Sequence, residues 1–310
     1  MKIAIVGSGA MGSLYGAYLH KSGEEVYLIN KWEEHINTIN KEGLVIDTGD
    51  KKLKFYPKAV TNSKDIGIVD LAIVFVKSTK TEEAILENKN IIGENTYVLT
   101  LQNGYGNGEK IEKYINKDRI IVGTTGEGCT TIKAGYIKHA GSGDTYIGMF
   151  SGKEDNILKR LENILNHSGF NTHICKDPRE LIWNKLIINV GINAITAILG
   201  IRNGEILKEM ATKKIMKDAV IEAVKVANAK GFNFNEEEMI KKVENIALKT
   251  AENKSSMLQD VLNNKKTEIE TINGSIVKEG SKFNIETPIN ETLTNLIISL
   301  EKNKILTPQR

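Results

Sequence analysis

Residues 3–12 read Ile3-Ala4-Ile5-Val6-Gly7-Ser8-Gly9-Ala10-Met11-Gly12, a short apolar run that ends in a Gly-x-Gly-x-x-Gly turn and passes into a helical pattern. The context makes this far more specific than the bare glycine spacing, because each glycine has its own task. Gly7 permits a tight turn, Gly9 lets the backbone approach a pyrophosphate, and Gly12 lets helix and strand pack closely, while the helix N-terminus faces the anion. Gly7, Ser8, Gly9, Ala10, Met11 and Gly12 are therefore the expected dinucleotide-binding segment. A glycine-rich strand-to-helix turn that holds no nucleotide is the alternative.

Working outward, residues 26–29, 71–76, 97–101 and 120–123 are further short runs rich in Val, Ile and Leu, separated by helical patterns. Alternation of this kind predicts a parallel sheet with crossover helices. Tyr136, Ile137, Tyr146 and Ile147 surround Gly141-Ser142-Gly143-Asp144, which reads as an antiparallel hairpin added to that sheet. A helix over 154–167 and a strand over 172–175 complete the first part.

From Pro178 onward the apolar spacing is helical only, through 212–230, 236–253 and 288–302, with Pro178 at a helix-start position. The fold class is thus α/β: a Rossmann-type doubly wound domain over 1–176 and an all-α domain over 177–310. A chain of 310 residues suits two domains sharing a cleft.

Lys and Arg number 42 against 39 Asp and Glu, and the resulting charge of +3 is too small to imply a nucleic-acid or membrane-surface partner. The chain opens directly on strand-like residues and has no uninterrupted membrane-length apolar span, so a cytoplasmic location is expected. Cys129 and Cys175 are far apart, no metal-ligand spacing is present, and the scattered histidines His20, His35, His139, His167 and His173 read as surface or capping residues. A wholly helical second domain with exposed apolar stripes suits a homodimer.

The second run ends Leu28-Ile29-Asn30-Lys31. An acidic residue at this place accepts from a ribose 2′-hydroxyl, whereas a cation pairs with a 2′-phosphate. Asn30 carries no repelling charge and Lys31 brings a cation, which favours NADP(H); Glu33 and Glu34 weaken that field, and a merely solvated Lys31 is the other reading.

Lys185, Asn189 and Asn193 recur every four residues in a segment that is otherwise almost wholly apolar, Leu181-Ile182-Trp183-Asn184-Lys185-Leu186-Ile187-Ile188-Asn189-Val190-Gly191-Ile192-Asn193. On a helix they form one narrow stripe. Asparagine is a poor interior helix former, so the stripe is either a ligand-facing cleft or a solvent edge from which Lys185 snorkels outward. In a cleft, desolvation would lower the amine's pKa and make it a proton donor.

Four groups of residues in order along the chain resemble the 2-dehydropantoate 2-reductase (ketopantoate reductase) family. They are Gly7 to Gly12, Gln102-Asn103-Gly104, Trp183-Asn184-Lys185 with Asn189 and Asn193, and Ser255-Ser256-Met257-Leu258-Gln259-Asp260 followed by Thr267-Glu268-Ile269. The resemblance implies NADPH-dependent reduction of 2-dehydropantoate (ketopantoate) to D-pantoate in the route to pantothenate and coenzyme A, with Lys185 as the proton donor to the carbonyl oxygen. It implies Glu268 as the catalytic partner that holds the substrate hydroxyl and orders the lysine, and Ser256 as the carboxylate-binding serine. Asn189, Asn193, Asn103 and Asn203 would line the substrate pocket, and Lys77, with Asn103, would lie beside the cofactor.

Each has a structural reading as well. Ser256-Met257-Leu258-Gln259 and Thr267-Glu268-Ile269-Glu270 both fit capping-box patterns, with Ser256 as a helix N-cap and Glu268 as a first-turn carboxylate, and Asn103 and Asn203 precede glycines as turn asparagines do. Lys77 closes a strand and could be a solvated lysine. A sister reductase of another branched 2-oxo acid, and a non-catalytic dinucleotide sensor, are the rival functions.

Overall fold

The computed structural model describes residues 1–306, so the last four residues of the expected 177–310 domain lie outside the described residues. The chain packs as two compact units, Met1–Gln102 with Asn107–Leu181, and Asn103–Gly106 with Ile182–Arg310. The second helix-rich segment begins with a 22-residue helix at Pro178, and the change of unit falls inside its first turn or so.

In the first unit an eight-stranded sheet is built outward from β1 (Lys2–Val6). On one side lie β2 (Glu25–Ile29) and β5 (Lys58–Val60), and on the other β6 (Leu71–Val74), β7 (Tyr97–Thr100), β8 (Ile120–Thr125), β11 (Thr145–Met149) and β12 (Thr172–Ile174). All neighbours run parallel except β8 and β11. Helix α1 (Ala10–Lys21) carries the chain from β1 to β2 on one side, while β6 pairs with β1 on the other. That reversal of strand order sits at the carboxyl end of β1, where open α/β sheets bind ligands. Ile3, Ile5, Leu28, Ile73 and Leu99 are wholly buried, which is why these strands read as continuous apolar runs.

The hairpin expected around Gly141 to Asp144 is not formed. Tyr136 and Ile137 belong to β10 (Tyr136–Gly141), in a separate sheet of order β4-β3-β10-β9, with β3 Leu44–Asp47, β4 Lys52–Phe55 and β9 Gly128–Lys133. Tyr146 and Ile147 lie in β11 of the large sheet. The Gly-Ser-Gly-Asp segment crosses between sheets: the Gly126 N–H donates to Asp144 O at 2.8 Å, and a side chain at Gly143 would meet the Gly126 backbone at 2.9 Å. Four residues without a two-residue turn signature do not commit their flanks to pair. The strand expected over 71–76 ends at Val74, and the helix expected over 154–167 is α5 (Asn156–His167).

The second unit is helical throughout its described residues, built on α6 (Pro178–Leu199), α7 (Met210–Ala229), α8 (Glu236–Lys249), α9 (Ser256–Leu262), α10 (Asn273–Lys282) and α11 (Pro288–Leu306). Helix α8 stops at Lys249, four residues short of the expected 253, because Thr250 to Asn253 fold into a turn. Helix α6 is long and apolar enough to cross a membrane by length and composition, yet it is mostly buried, with Trp183, Ile187, Val190 and Ala194 fully enclosed. A glycine in mid-helix costs stability, and at Gly191 the close approach of neighbours explains it: a Cβ there would stand 2.8 Å from Val243 and 2.9 Å from Val220.

Proline begins α11 without an N–H, so Ile289 and Asn290 are its first free backbone donors. The Glu222 carboxylate on α7 accepts from both at 2.9 Å and from Asn290 Nδ2 at 2.8 Å, placing negative charge at the helix N-terminus in a nearly enclosed site. Glu222→Ala should strand these donors and lower unfolding stability by roughly 3 kcal/mol, read by urea denaturation; a change within the error of the wild-type midpoint would refute the assignment.

Candidate active site

The glycine turn lies where β1 ends. Gly7 takes φ +95° and abuts Val76, whose backbone N would be 2.5 Å from a Cβ at that position. The N–H groups of Gly7 and Ser8 both donate to Ile29 O at 3.0 Å, so the turn is stitched to the end of β2. At Gly12 a Cβ would fall 2.4 Å from Gly7 O, whereas a Cβ on exposed Gly9 meets nothing within 4 Å. Two glycines thus serve internal packing, and the third leaves open space in front of a helix whose N-cap has no side-chain cap. Space beside uncapped N–H groups fits a dinucleotide pyrophosphate.

A buried histidine supports this turn. His35, read from sequence as a surface or capping residue, is fully enclosed and stacks on Trp32 at 5.1 Å. Its Nδ1 accepts from the Gly135 N–H at 3.0 Å, so the neutral ring carries its proton on Nε2, which meets Ser13 Oγ at 3.2 Å. Ser13 Oγ donates onward to Ser8 O at 3.1 Å, and burial lowers the imidazole pKa. Nothing in the local sequence signals this, since Gly135 is 100 residues away.

At the end of β2, Asn30 Oδ1 accepts from the Trp32 N–H at 3.0 Å. Lys31 is exposed but ion-paired, its Nζ 2.6 Å from Glu87 and 3.1 Å from Glu83. The half-buried Lys77 precedes a 3-10 turn, Ser78–Lys80, and its carbonyl accepts from the Lys80 N–H at 2.7 Å. Gly7, Lys31 and Lys77 therefore all follow the carboxyl ends of neighbouring strands in the first unit.

In the second unit the polar stripe runs along α6 as expected: Lys185 and Asn189 are half-buried and Asn193 is buried. Burial pulls the Lys185 amine down from 10.5 to about 8, and the negative charge of Glu268 opposes the fall. The structure thus brings Lys185 and Glu268 into electrostatic contact and rejects a fully hydrated, snorkelling lysine. Glu268 precedes the 3-10 turn Ile269–Thr271 as its N-cap residue and does not cap it through its side chain, contrary to the first-turn reading.

Serine positions differ by one from the capping-box expectation. Ser255 caps α9, accepting from the Leu258 N–H at 3.1 Å, and its hydroxyl meets Thr196 Oγ1 of α6 at 2.7 Å. Ser256 is left exposed at the first position of α9. Asn203 is not a turn asparagine; it opens a 3-10 helix, Asn203–Leu207, and its Nδ2 donates to Thr250 Oγ1 at 2.9 Å. Its Oδ1 is buried without a partner among the described residues.

Asn103 opens the tetrapeptide Asn103–Gly106 that packs with the second unit. Gly104 at φ +82° comes so close to Thr271 that a Cβ would stand 2.6 Å from its carbonyl oxygen, and the Tyr105 N–H donates to that oxygen at 2.9 Å. The Tyr105 ring packs on Trp183, two residues before Lys185, with centroids 5.0 Å apart. Lys230 Nζ lies 5.4 Å from the Tyr105 ring centre and 2.6 Å from Glu279. Among the described residues no cluster of His, Cys, Asp or Glu could hold a metal ion.

A doubly wound sheet with an open glycine turn, joined to a helical unit that holds a desolvated lysine beside a glutamate, defines a dinucleotide-dependent oxidoreductase. Residues 3–152 match the family described as ketopantoate reductase PanE/ApbA, and residues 177–301 match its C-terminal counterpart. The chain belongs to the ketopantoate reductase family.

Among relatives, the 2-dehydropantoate 2-reductase of Pyrococcus horikoshii is 36% identical over 301 residues, covering 97% of this chain and 98% of that protein. The one from Halobacterium salinarum is 31% identical, with 96% and 98% covered. Among solved structures, a ternary complex of D-mandelate dehydrogenase with NADH and anilino(oxo)acetate superposes with TM-score 0.93 at 33% identity, over 98% of this chain and 99% of that one. A PanE/ApbA family ketopantoate reductase from Ralstonia eutropha gives 0.92 at 28% identity, over 98% and 100%.

Two measurements test this geometry. Gly9→Val, facing open space at a negative φ, should leave the unfolding midpoint unchanged and abolish dinucleotide binding in calorimetry; retained binding would show that the space serves no cofactor. Isotopic dimethylation of lysines followed by NMR titration should find the Lys185 signal moving near pH 8. In Glu268→Gln it should move at lower pH, since the carboxylate that favours the ammonium form is gone; an upward shift would contradict the assigned coupling.

Proposed function

We propose that the chain reduces the 2-oxo group of 2-dehydropantoate to D-pantoate with NADPH, in the route to pantothenate and coenzyme A. The observation that carries this reading is the Lys185 amine, desolvated to a pKa of about 8 on a stripe of asparagines and coupled to Glu268. The names of the relatives support the substrate.

A bound dihydronicotinamide supplies the hydride that reaches the carbonyl carbon. As the C=O π bond breaks, its electron pair moves to oxygen, and the ammonium of Lys185 donates a proton there, leaving a neutral amine and a hydroxy acid. An amine with a pKa of about 8 is mostly protonated at neutral pH yet releases its proton more readily than an exposed lysine. Glu268 keeps that amine charged before the step and, in this reading, accepts from the substrate hydroxyl. Ser256 takes the substrate carboxylate through its hydroxyl, and Asn189, Asn193, Asn103 and Asn203 supply the remaining polar contacts. Gly7 to Gly12 hold the pyrophosphate, while Lys31 and Lys77 supply positive charge toward the cofactor phosphates. The reading carries with it a cytoplasmic enzyme, and a homodimer through the helical unit.

A second reading has a specific support. The D-mandelate dehydrogenase neighbour, solved with NADH and anilino(oxo)acetate, has a very similar fold, which supports a sister activity on another 2-oxo acid with Lys185 as the same proton donor. Turnover followed by nicotinamide absorbance with NADPH and NADH, against 2-dehydropantoate and aromatic or branched 2-oxo acids, separates the two. Lys185→Met should reduce kcat/KM by about 10² to 10⁴, and wild-type kcat/KM should fall as pH rises through about 8, where the amine loses the proton it must donate. Rapid turnover of a different acid with none of 2-dehydropantoate would overturn the first reading, and a Lys185→Met variant of normal activity would overturn both.

A further inference from the structure

The cation at the end of β2 is not alone. Lys31 Nζ lies 2.6 Å from Glu87 Oε1 and 3.1 Å from Glu83 Oε1, both on α3 (Thr81–Glu87). Positions 83 and 87 are four apart, so the two carboxylates share a helical face. The second oxygen of Glu83 holds Lys80 at 2.7 Å. Helix α2 (Glu33–Glu42), which starts two residues after Lys31, adds Glu33 and Glu34 in its first turn. Around this corner Glu83 and Glu87 are ion-paired to Lys31 and Lys80, and Glu33 and Glu34 follow Lys31 closely along the chain, although the chain as a whole is slightly basic.

This corner is where a doubly wound fold reads the ribose 2′ position. Its distance from the pyrophosphate turn is fixed by the bonds from Gly7 and Ser8 to Ile29 O, two residues before Lys31. A 2′-phosphate brings close to two negative charges at neutral pH and must share Lys31 with Glu83 and Glu87 or displace them. A 2′-hydroxyl meets no such competition and can donate to a carboxylate. The groups are all substantially exposed, so the competition is modest and screened by salt.

We infer that Glu83 and Glu87 are specificity-determining residues: by holding Lys31 they weaken NADPH binding selectively and bring the affinities for NADPH and NADH closer together. This rests on the cofactor reading given under Proposed function. The two glutamates act on selectivity through Lys31 and take no part in hydride or proton transfer.

Calorimetric titration of the whole chain with NADPH and with NADH separately, at low and high salt, tests it. The Glu83→Gln/Glu87→Gln double variant should bind NADPH about three- to tenfold more tightly, with the larger gain at low salt, and leave NADH within about twofold. Lys31→Ala should weaken NADPH severalfold more than NADH. An unchanged NADPH affinity in the double variant, or equal tightening of both dinucleotides, would overturn the inference, as would an indifferent Lys31→Ala. Wild-type protein that binds neither dinucleotide would instead overturn the cofactor reading on which the inference stands.

Discussion

An amine on a helix that is apolar around most of its circumference cannot keep its full hydration shell once that helix enters a core, and this constraint governs the second unit. Helix α6 must be buried because Trp183, Leu186, Ile187 and Val190 have nowhere else to go, and Lys185 goes with them. The cost of partly desolvating its charge lowers its pKa, and the nearby carboxylate of Glu268 offsets part of that cost. Much of the surrounding architecture keeps this arrangement in place. The Thr196 and Ser255 hydroxyls tie α9 to α6, Gly191 admits Val243 and Val220 at close range, and Tyr105 covers the indole of Trp183.

The first unit works by the opposite means, removing side chains where backbone must come close. Gly7 and Gly12 make room for Val76, Ile5 and the turn's own carbonyl, whereas Gly9 leaves its room unfilled. The same residue type thus has two meanings within six positions, and the difference lies in what stands opposite. Charge is handled differently as well: Lys31 is solvated and bound by carboxylates, while Lys185 is half-buried, partly desolvated, and lies in the field of one.

Legibility in the sequence followed the range of the interactions involved. The inner strands β1, β2, β6, β7 and β8 were readable because both faces are largely buried, which demands unbroken Val, Ile and Leu, whereas the edge strand β5 buries only Ala59 and was missed. Lys52-Leu53-Lys54-Phe55 gave little signal because β4 buries only its last residue well. Gly141 to Asp144 resembles a turn in composition, and only the partners of β10 and β11 reveal a crossing between sheets. The stripe on α6 was evident from spacing, but the choice between cleft and surface depended on Glu268, 83 residues onward in the chain. Adjacent serines make a cap ambiguous by one position; the bond from the Leu258 N–H to Ser255 Oγ decides it, and that hydroxyl is also held by Thr196, 59 residues away. Glu83 and Glu87 could not be linked to Lys31 from sequence, since helix α3 meets the end of β2 only through the sheet order.

His35 has a consequence for which replacements this chain can accept. Its ring receives a proton bond from one strand connection and passes one to Ser13, on opposite sides of a rigid plane. A methyl-bearing or carboxylate side chain satisfies at most one of those two demands, and a flexible amide must be frozen to satisfy both. Divergence at position 35 is therefore coupled to redesign of the segment around Gly135, so the two places are expected to change in concert or not at all.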